Sequence, residues 1–457
     1  VAVLLALVAA RVEALDPARG WKRADSILAR INRPAFPPVT VDVTKFGARP
    51  DGTSDCTVAF ARAVEEISAL GGGTLLVPDG NYLTGPIHLK SNVNLHLSPR
   101  TVIKFQRDPA RYLPLVLTRW EGVECMNYTP FIYAFGQTNV AVTGSGTLDG
   151  QANDTTWWHW KKGKDGSSAR PLQNAARNRL FAMGQSGVPV SRRIFGEGHY
   201  LRPNFIQFYR CTNVLVEDVR IINSPMWEIH PVLCSNVTVA GVTISSHGPN
   251  NDGCNPESSR DVLISGCTFD TGDDCIAIKS GRNNDGRRLM TPSENIIIRD
   301  CAFKDGHGAV SIGSEVSGGA RNVFVMGCSA QSPVLYSALR IKSNAQRGGV
   351  VEDIYMRDFR VRLVDQAVVN VDLFYEEGKN GAFLPTVRRI GIERMTVDTC
   401  SVALNLVGYD NAPLREILLK DCDFRKVSGG YTVSDVCGLA VVDSRINGKP
   451  FIVAGGN

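Results

Sequence analysis

The sequence predicts an all-β fold, a single-stranded parallel β-helix with a short helix capping its N-terminal end. Three observations predict it. First, an eleven-residue phrase recurs: TNVLVEDVRII from Thr212, SNVTVAGVTIS from Ser235, RDVLISGCTFD from Arg260, ENIIIRDCAFK from Glu294 and RNVFVMGCSAQ from Arg321. Further copies start at Ser91, Thr138, Glu352, Arg388 and Arg415. Second, each copy is a short alternating strand, a polar or glycine corner, and another short strand. Helical repeats of similar length would carry a 3.6-residue period instead. Third, from Asn213 onward the phrase returns every 23 to 36 residues, one turn of a solenoid with insertions in some corners.

The elements follow in chain order. The opening VAVLLALVAARVEALD has an apolar run, then Val12, Glu13 and Ala14, a small-residue pattern suited to cleavage after Ala14. Residues 1–14 are expected to be the remnant of a signal peptide, and the protein to be secreted or periplasmic. A buried N-terminal helix is the rival reading. No later apolar run reaches about 18 residues, so no membrane-spanning helix is expected. Residues 15–38, with Pro34, Pro37 and Pro38, read as a linker. The β-helix domain is expected over 39–457. At its start Ser54 or Asp55 can cap a helix reaching about Ala69, and Gly71–Gly73 stop it. An amphipathic helix there covers the open first coil, as a solenoid requires.

Charge and cysteine usage narrow the function. Net charge is +5, from 50 basic and 45 acidic residues, which suits a polyanionic substrate weakly and an ordinary surface equally. No Lys/Arg run and no aromatic–basic alternation suggests nucleic acid. Twelve cysteines include no C-x-x-C pair and no His/Cys cluster of the zinc type. Cys211 and Cys234 share one place in the repeat, and Cys267, Cys301, Cys328 and Cys422 share another. Stacked on successive coils they form buried ladders of small apolar thiols. Disulfides between some pairs are the alternative.

Two long interruptions break the repeat, Gln106 to about Gln137 and Gln151 to about His199. The second carries TTWWHWKKGK, either a packed loop or a sugar-stacking, anion-attracting cleft wall. In NSPMWEIHP, Trp227 and His230 either line a cleft or are a packed aromatic and a satisfied histidine. Three sequons occur, at Asn127, Asn153 and Asn236.

The coils can be laid over one another. GCTFDTGDDCIAIK from Gly266 aligns without gaps on DCAFKDGHGAVSIG from Asp300, placing Asp273 on His307 and Asp274 on Gly308. In the preceding coil, matching Cys254 to Cys275 puts Asp252 on Asp273. In the following coil, matching Ala338 to Cys275 brings Lys342 level with Lys279. Arg340 and Lys342, two apart on a strand, share a face. With coils about 4.8 Å apart, three carboxylates, one histidine and two cations converge on one outer patch. Crowded carboxylates cannot all ionise, so one holds a proton as general acid while others activate water. The cations suit a substrate that bears its own carboxylate. This constellation is that of a glycosidase.

The set NNDG, GDD, GHG and RIK resembles glycoside hydrolase family 28, the polygalacturonases and their relatives, from about Val39 to near the C-terminus. The resemblance implies a right-handed, pectin-lyase-like β-helix that hydrolyses α-1,4-linked galacturonan with inversion and without metal or other cofactor. It implies Asp273 as general acid, Asp252 and Asp274 as water activators, and His307 as support for the acid. It implies that Arg340 and Lys342 bind the galacturonate carboxylate and that Tyr375 contacts the sugar. Lys279, level with Lys342, is a further candidate for substrate binding. An acidic polysaccharide is the expected partner and a monomer the expected state.

Two departures bear on specificity. NNDG replaces the usual NTDG and leaves Asp252 in place. GSEVSGG from Gly313 replaces GSLG, a form more like exo-acting relatives, and exo action is favoured over endo. A second NNDG, Asn283–Gly286, is out of phase with the ladder and reads as an exposed turn. A rhamnogalacturonan hydrolase of the same family, a calcium-dependent pectate lyase-like β-helix and a non-catalytic adhesin remain as alternatives.

Overall fold

The second residue of each repeat phrase makes its turn. Asn92, Asn139, Asn213, Asn236, Asp261, Asn295, Asn322 and Asp353 all have φ between 55° and 61°. Asn and Asp enter this left-handed region more readily than other side-chain-bearing residues. Their side chains also bond from coil to coil. Asn213 Nδ2 donates to Asn139 Oδ1 at 2.8 Å, Asn236 to Asn213 at 2.7 Å and Asn322 to Asn295 at 3.0 Å. Each coil therefore begins with the same bend over the same partner, and the strand after it falls into register.

The computed structural model describes residues 17–162 and 172–453. The coils stack as a right-handed parallel β-helix. Thirteen parallel strands, from Thr40–Asp42 to Val436–Val442, form one face. A second face includes Ile206–Tyr209, Ile229–Val232, Ile276–Ile278, Val310–Ile312 and Leu339–Lys342. A third includes Arg220–Ile222, Thr243–Ser246, Thr268–Thr271 and Ala302–Asp305. Inward positions form columns: Val214, Val237, Val262, Ile296, Val323 and Ile354 pair in sequence and are at most 1 % exposed. Burial of each such side chain contributes about 1.5–3 kcal/mol.

All twelve cysteines are free thiols, and eleven are buried. Cys211 N–H donates to Cys234 Sγ at 3.4 Å, and Cys301 N–H to Cys328 Sγ at 3.4 Å. The ladders are core packing, and the disulfide alternative falls away.

The segment 15–38, expected as a linker, is corrected in its first half. Helix α1 (Pro17–Leu28) lies along the outside of the thirteen-stranded face and buries Gly20, Trp21, Ala24 and Ile27. That stripe has helical spacing, but the prolines beyond it dominate the sequence pattern. Trp21 packs on Phe324 and Tyr355, and its Nε1 donates to Glu393 Oε2 at 2.7 Å. A Cβ on Gly20 would stand 2.8 Å from the Tyr355 ring. Beyond the helix, Arg30 pairs with Asp261 at 2.7 Å and Arg33 with Glu217 at 2.5 Å.

Helix α2 (Thr57–Ala69) is the expected cap. Asp55 Oδ1 accepts the Thr57 N–H at 3.0 Å, and Gly71 and Gly72, at φ 88° and 111°, end it. The expected signal segment, Val1–Ala14, lies outside the described residues, as do Gly163 and Lys164 of the Trp/Lys motif.

The two interruptions build one lobe. The first supplies an antiparallel hairpin, Val116–Trp120 with Val123–Asn127, and the second supplies helix α3 (Gln173–Gln185). Trp120, Val123 and Cys125 pack there with Ala176, Leu180, Phe195 and Trp227. Trp157 and Trp160 join the main core, whereas Trp158 is half-buried beside Gly248. Trp158 still packs against that core, its Nε1 donating to Ser224 O at 2.8 Å, so the packed-loop reading holds for all three tryptophans. Of the sequon asparagines, Asn127 is buried with its amide on Leu201 O at 3.1 Å, and the Asn236 amide is committed to the ladder.

Candidate active site

Asp273 and Asp274 stand in the corner between the strands Thr268–Thr271 and Ile276–Ile278. Neither has to obey strand alternation. Asp273 Oδ1 accepts the Asp274 N–H at 2.9 Å, and Thr271 Oγ1 holds the Asp273 carbonyl at 2.9 Å. The pair is thereby splayed, with 21 % of the Asp273 side chain exposed and 1 % of Asp274.

The expected register holds from Asp273 onward, but the preceding coil is offset by one: Cys254 pairs with Ile276 rather than Cys275, so Asp252 falls level with Asp274. Ile276 pairs with Val310 and Val310 with Leu339, which sets Asp273 over His307 and Lys279 over Lys342. Gly253 N–H donates to Asp274 O, and His307 N–H to Asp273 O, both at 3.0 Å. One bulge interrupts the alignment, between Phe269 and Asp270. The glycines around His307 allow the coils to close. A Cβ on Gly306 would meet Asp273 O at 2.6 Å, and one on Gly308 would meet Ser311 Oγ at 2.4 Å.

The carboxylate oxygens of Asp252, Asp273 and Asp274 lie within 4.8 Å of one another. His307 Nδ1 is 3.0 Å from Asp273 Oδ1, and its ring stacks on Tyr336 with centroids 4.6 Å apart. Lys342 Nζ is 2.6 Å and Arg340 Nη1 3.7 Å from Asp274, whose Oδ1 also accepts from Ser311 at 2.8 Å. Arg340 Nε is buried and has no hydrogen-bond partner among the described residues. Tyr375 lies beside both cations, its ring 5.8 Å from the Arg340 guanidinium carbon and 5.4 Å from Lys342 Nζ. The trio has the donor set of a cation site, but Lys279, Lys342 and Arg340 already bring positive charge to it.

Burial separates the three acids. Burial, then the Asp273 charge, pushes the Asp252 carboxyl well above the usual range against the pull of Lys279. Asp274 feels burial too, but Lys342, Arg340 and Lys279 hold it down at about 2. For His307 burial is the largest influence and favours the neutral ring. The Asp273 hydrogen bond and the Asp273 and Asp274 charges outweigh it and raise the pKa. Of the two buried acids, Asp252 is the harder to ionise.

Asp252, Asp273, Asp274, His307, Arg340, Lys342 and Tyr375 come together as expected. Lys279 reaches the same cluster but from below. Its side chain is 4 % exposed, with Nζ 3.0 Å from Glu315 and 3.5 Å from Asp252, so it is committed to two carboxylates of the protein. The second NNDG is corrected. It forms the start of helix α4 (Asn283–Leu289), and buried Asp285 pairs with Arg193 at 2.7 Å and Arg288 at 3.1 Å. Its phase marked it as off the ladder, but its partners come from the distant lobe. Trp227 and His230 are packed. His230 Nε2 meets Glu257 at 2.7 Å, and Trp227 lies under Lys279. Ser311, Tyr336, Glu228 and Glu315 escaped sequence reasoning. Ser311 was reachable, because it pairs in register with Arg340.

Known proteins resemble the chain over most of its length. The family model for Glycosyl hydrolases family 28 matches residues 196–437. A probable polygalacturonase of Vitis vinifera is 28% identical over 464 residues, 96% of this chain and 86% of that protein. An exo-poly-alpha-D-galacturonosidase of Dickeya chrysanthemi is 25% identical over 364 residues, 74% of this chain and 58% of that one. The crystal structure of a hyperthermoactive exopolygalacturonase from Thermotoga maritima superposes with a TM-score of 0.88 at 45% identity, covering 94% of this chain and 97% of that one. Matched over more than half its length by the family model, and along nearly all of it by that enzyme, the chain belongs to glycosyl hydrolase family 28.

Proposed function

We propose that the protein cleaves α-1,4-galacturonosidic bonds of polygalacturonate from a chain end, by acid/base hydrolysis with inversion and without a metal. The observation that carries the chemistry is the unequal exposure of three clustered carboxyls. Asp273 alone reaches outward, and it delivers the proton to the glycosidic oxygen. Asp252 and Asp274 take a proton from the water that attacks the anomeric carbon. His307 holds Asp273 in line through its hydrogen bond. Arg340, with its unpartnered Nε, and Lys342 receive the sugar carboxylate, and Tyr375 contacts the ring.

Inversion is supported by access. Carboxyls about 5 Å apart suit a retaining pair by spacing alone. Here Asp252 and Asp274 are buried, and Asp274 is tied to Lys342 and Ser311, so neither reaches the anomeric carbon as a nucleophile. Early product followed by proton NMR is expected to be the β anomer; α-galacturonate at early times overturns the inverting assignment. Full activity in chelator is expected, and loss of activity that calcium restores favours the lyase alternative.

Exo action is supported by the likeness to the Thermotoga maritima enzyme and by the lobe beside the site. Digestion of polygalacturonate tests it: monomer or dimer alone indicates exo action, a ladder of sizes endo action. We read the protein as a monomer exported to meet its polymer. No helix among the described residues is long and apolar enough to cross a membrane.

A further inference from the structure

Lys279 is a deeply buried cation held beside the acids. Its Nζ lies over the Trp227 ring at 4.5 Å and between two carboxylates, Glu315 at 3.0 Å and Asp252 at 3.5 Å. Glu315 comes from the next coil, where its carbonyl accepts the Ser280 N–H at 2.6 Å, and its Oε1 also meets Arg282 at 3.3 Å. Lys279 therefore joins an acid of the reaction to an acid outside it.

The other charged groups facing Asp252 are committed elsewhere. Lys342 is bound to Asp274 at 2.6 Å. Arg202 donates to the Pro225 and Pro249 carbonyls, to Asn250 and to Gln173. Asp273 and Asp274 oppose ionisation of Asp252. Glu228, on the preceding coil, is fully buried without a hydrogen-bond partner among the described residues, so it favours its own neutral form. Among the neighbours that favour the charged form of Asp252, Lys279 is the strongest and lies 3.5 Å away.

We propose that Lys279 is a positioning residue that keeps Asp252 able to act as a water-activating carboxylate, and that Glu315 sets how much of the Lys279 charge Asp252 receives. The proposal rests on Asp252 acting as a base. It predicts opposite effects from the two partners. Without the ammonium, Asp252 keeps its proton to higher pH. Without the Glu315 charge, the ammonium acts on Asp252 alone, and Asp252 ionises at lower pH.

The test is the pH profile of kcat/KM on polygalacturonate for the full chain and for Lys279→Met, Lys279→Arg, Glu315→Gln and Lys279→Met/Glu315→Gln. Lys279→Met should move the acidic limb up by about one pH unit and lower kcat up to about 10-fold below it, with KM within about twofold of the parent. Lys279→Arg should restore the limb in part. Glu315→Gln should move it down, and the double variant should match Lys279→Met. A raised KM with an unmoved limb in Lys279→Met makes Lys279 a substrate ligand and overturns the proposal. Should Lys279→Met not fold, Glu315→Gln decides: an unmoved or raised limb overturns the proposal. Asp252→Asn separates the two assignments. If that variant stays active, the base assignment for Asp252 fails; if it is inactive while Lys279→Met leaves the limb in place, only the role of Lys279 fails.

Discussion

Three aspartates with carboxylate oxygens within 4.8 Å of one another meet different fates because their surroundings differ. Asp274 has two cations and a hydroxyl, Asp252 has a buried seat and one shared cation, and Asp273 has water on one side and His307 on the other. Asp273→Asn keeps the shape and removes the transferable proton. It should lower kcat about 10²- to 10⁴-fold while the thermal midpoint stays near the parent's; parent-like turnover would falsify the assignment. Arg340 and Lys342 share a face, but their removal should not be equivalent. Arg340→Ala should chiefly raise KM. Lys342→Ala also strips the closest cation from buried Asp274, a loss on the order of 3–5 kcal/mol for a buried pair. A denaturant series on both variants checks this: equal stability losses would show that Lys342 does not hold Asp274.

Glu228 gives the clearest pH test. Burial, then the Asp252 charge, raises its carboxyl well above the usual range. A raised folded pKa means the folded chain binds the proton more tightly than the unfolded chain. Its stabilising share is complete below about pH 4, the unfolded carboxyl range, and is lost as pH rises through the folded value. Glu228→Gln keeps the neutral shape. The denaturant midpoint of the parent should fall relative to this variant as pH rises above about 5, and parallel curves would place the charge elsewhere.

At the scale of the element, the repeat phrase was legible because one physical demand recurs in every coil. Its second residue must adopt a left-handed φ, and in most coils this is Asn or Asp, whose side chain can also bond to the coil below; Arg389 and Glu416 take the same φ in two late coils. Asn213→Ala should cost about 2–4 kcal/mol, from the strained φ and two broken ladder bonds. Asn213→Gly should cost less, because glycine accepts the φ. Urea midpoints rank the two, and the reverse order would mean that hydrogen bonding alone fixes the bend. The active corner was legible for the same reason. Gapless register carried Asp273 to His307, and Arg340 followed from the next coil. What the repeat does not govern stayed hidden. The Lys279–Glu315 pair depends on an insertion in a corner, and the hairpin and α3 pack by contacts that no period announces. Helix α1 has an amphipathic stripe, but its partners Phe324, Tyr355 and Glu393 lie some three hundred residues away in sequence.

For the whole molecule that helix changes how stability is distributed. A solenoid is close to a sum of nearest-neighbour contacts, so its far coils know little of one another. The segment from Trp21 to Arg33 bridges coils that do not touch, from Glu393 through Tyr355 and Asp261 down to Glu217. It also covers Ile297, Phe324 and Leu418 on the outer face, which would otherwise be an apolar patch in water. Trp21→Ala removes the largest anchor at the Glu393 end, with a cost of about 3–5 kcal/mol by the measure of buried aromatic truncations. The active site stands on another face, so kcat and KM should remain at parent values. Hydrogen exchange should rise in α1, in Ala320–Met326 and in Val350–Arg357 together, because these elements open as one unit when the strap lifts. Faster exchange confined to α1 would mean that the helix rides on a solenoid already stable without it.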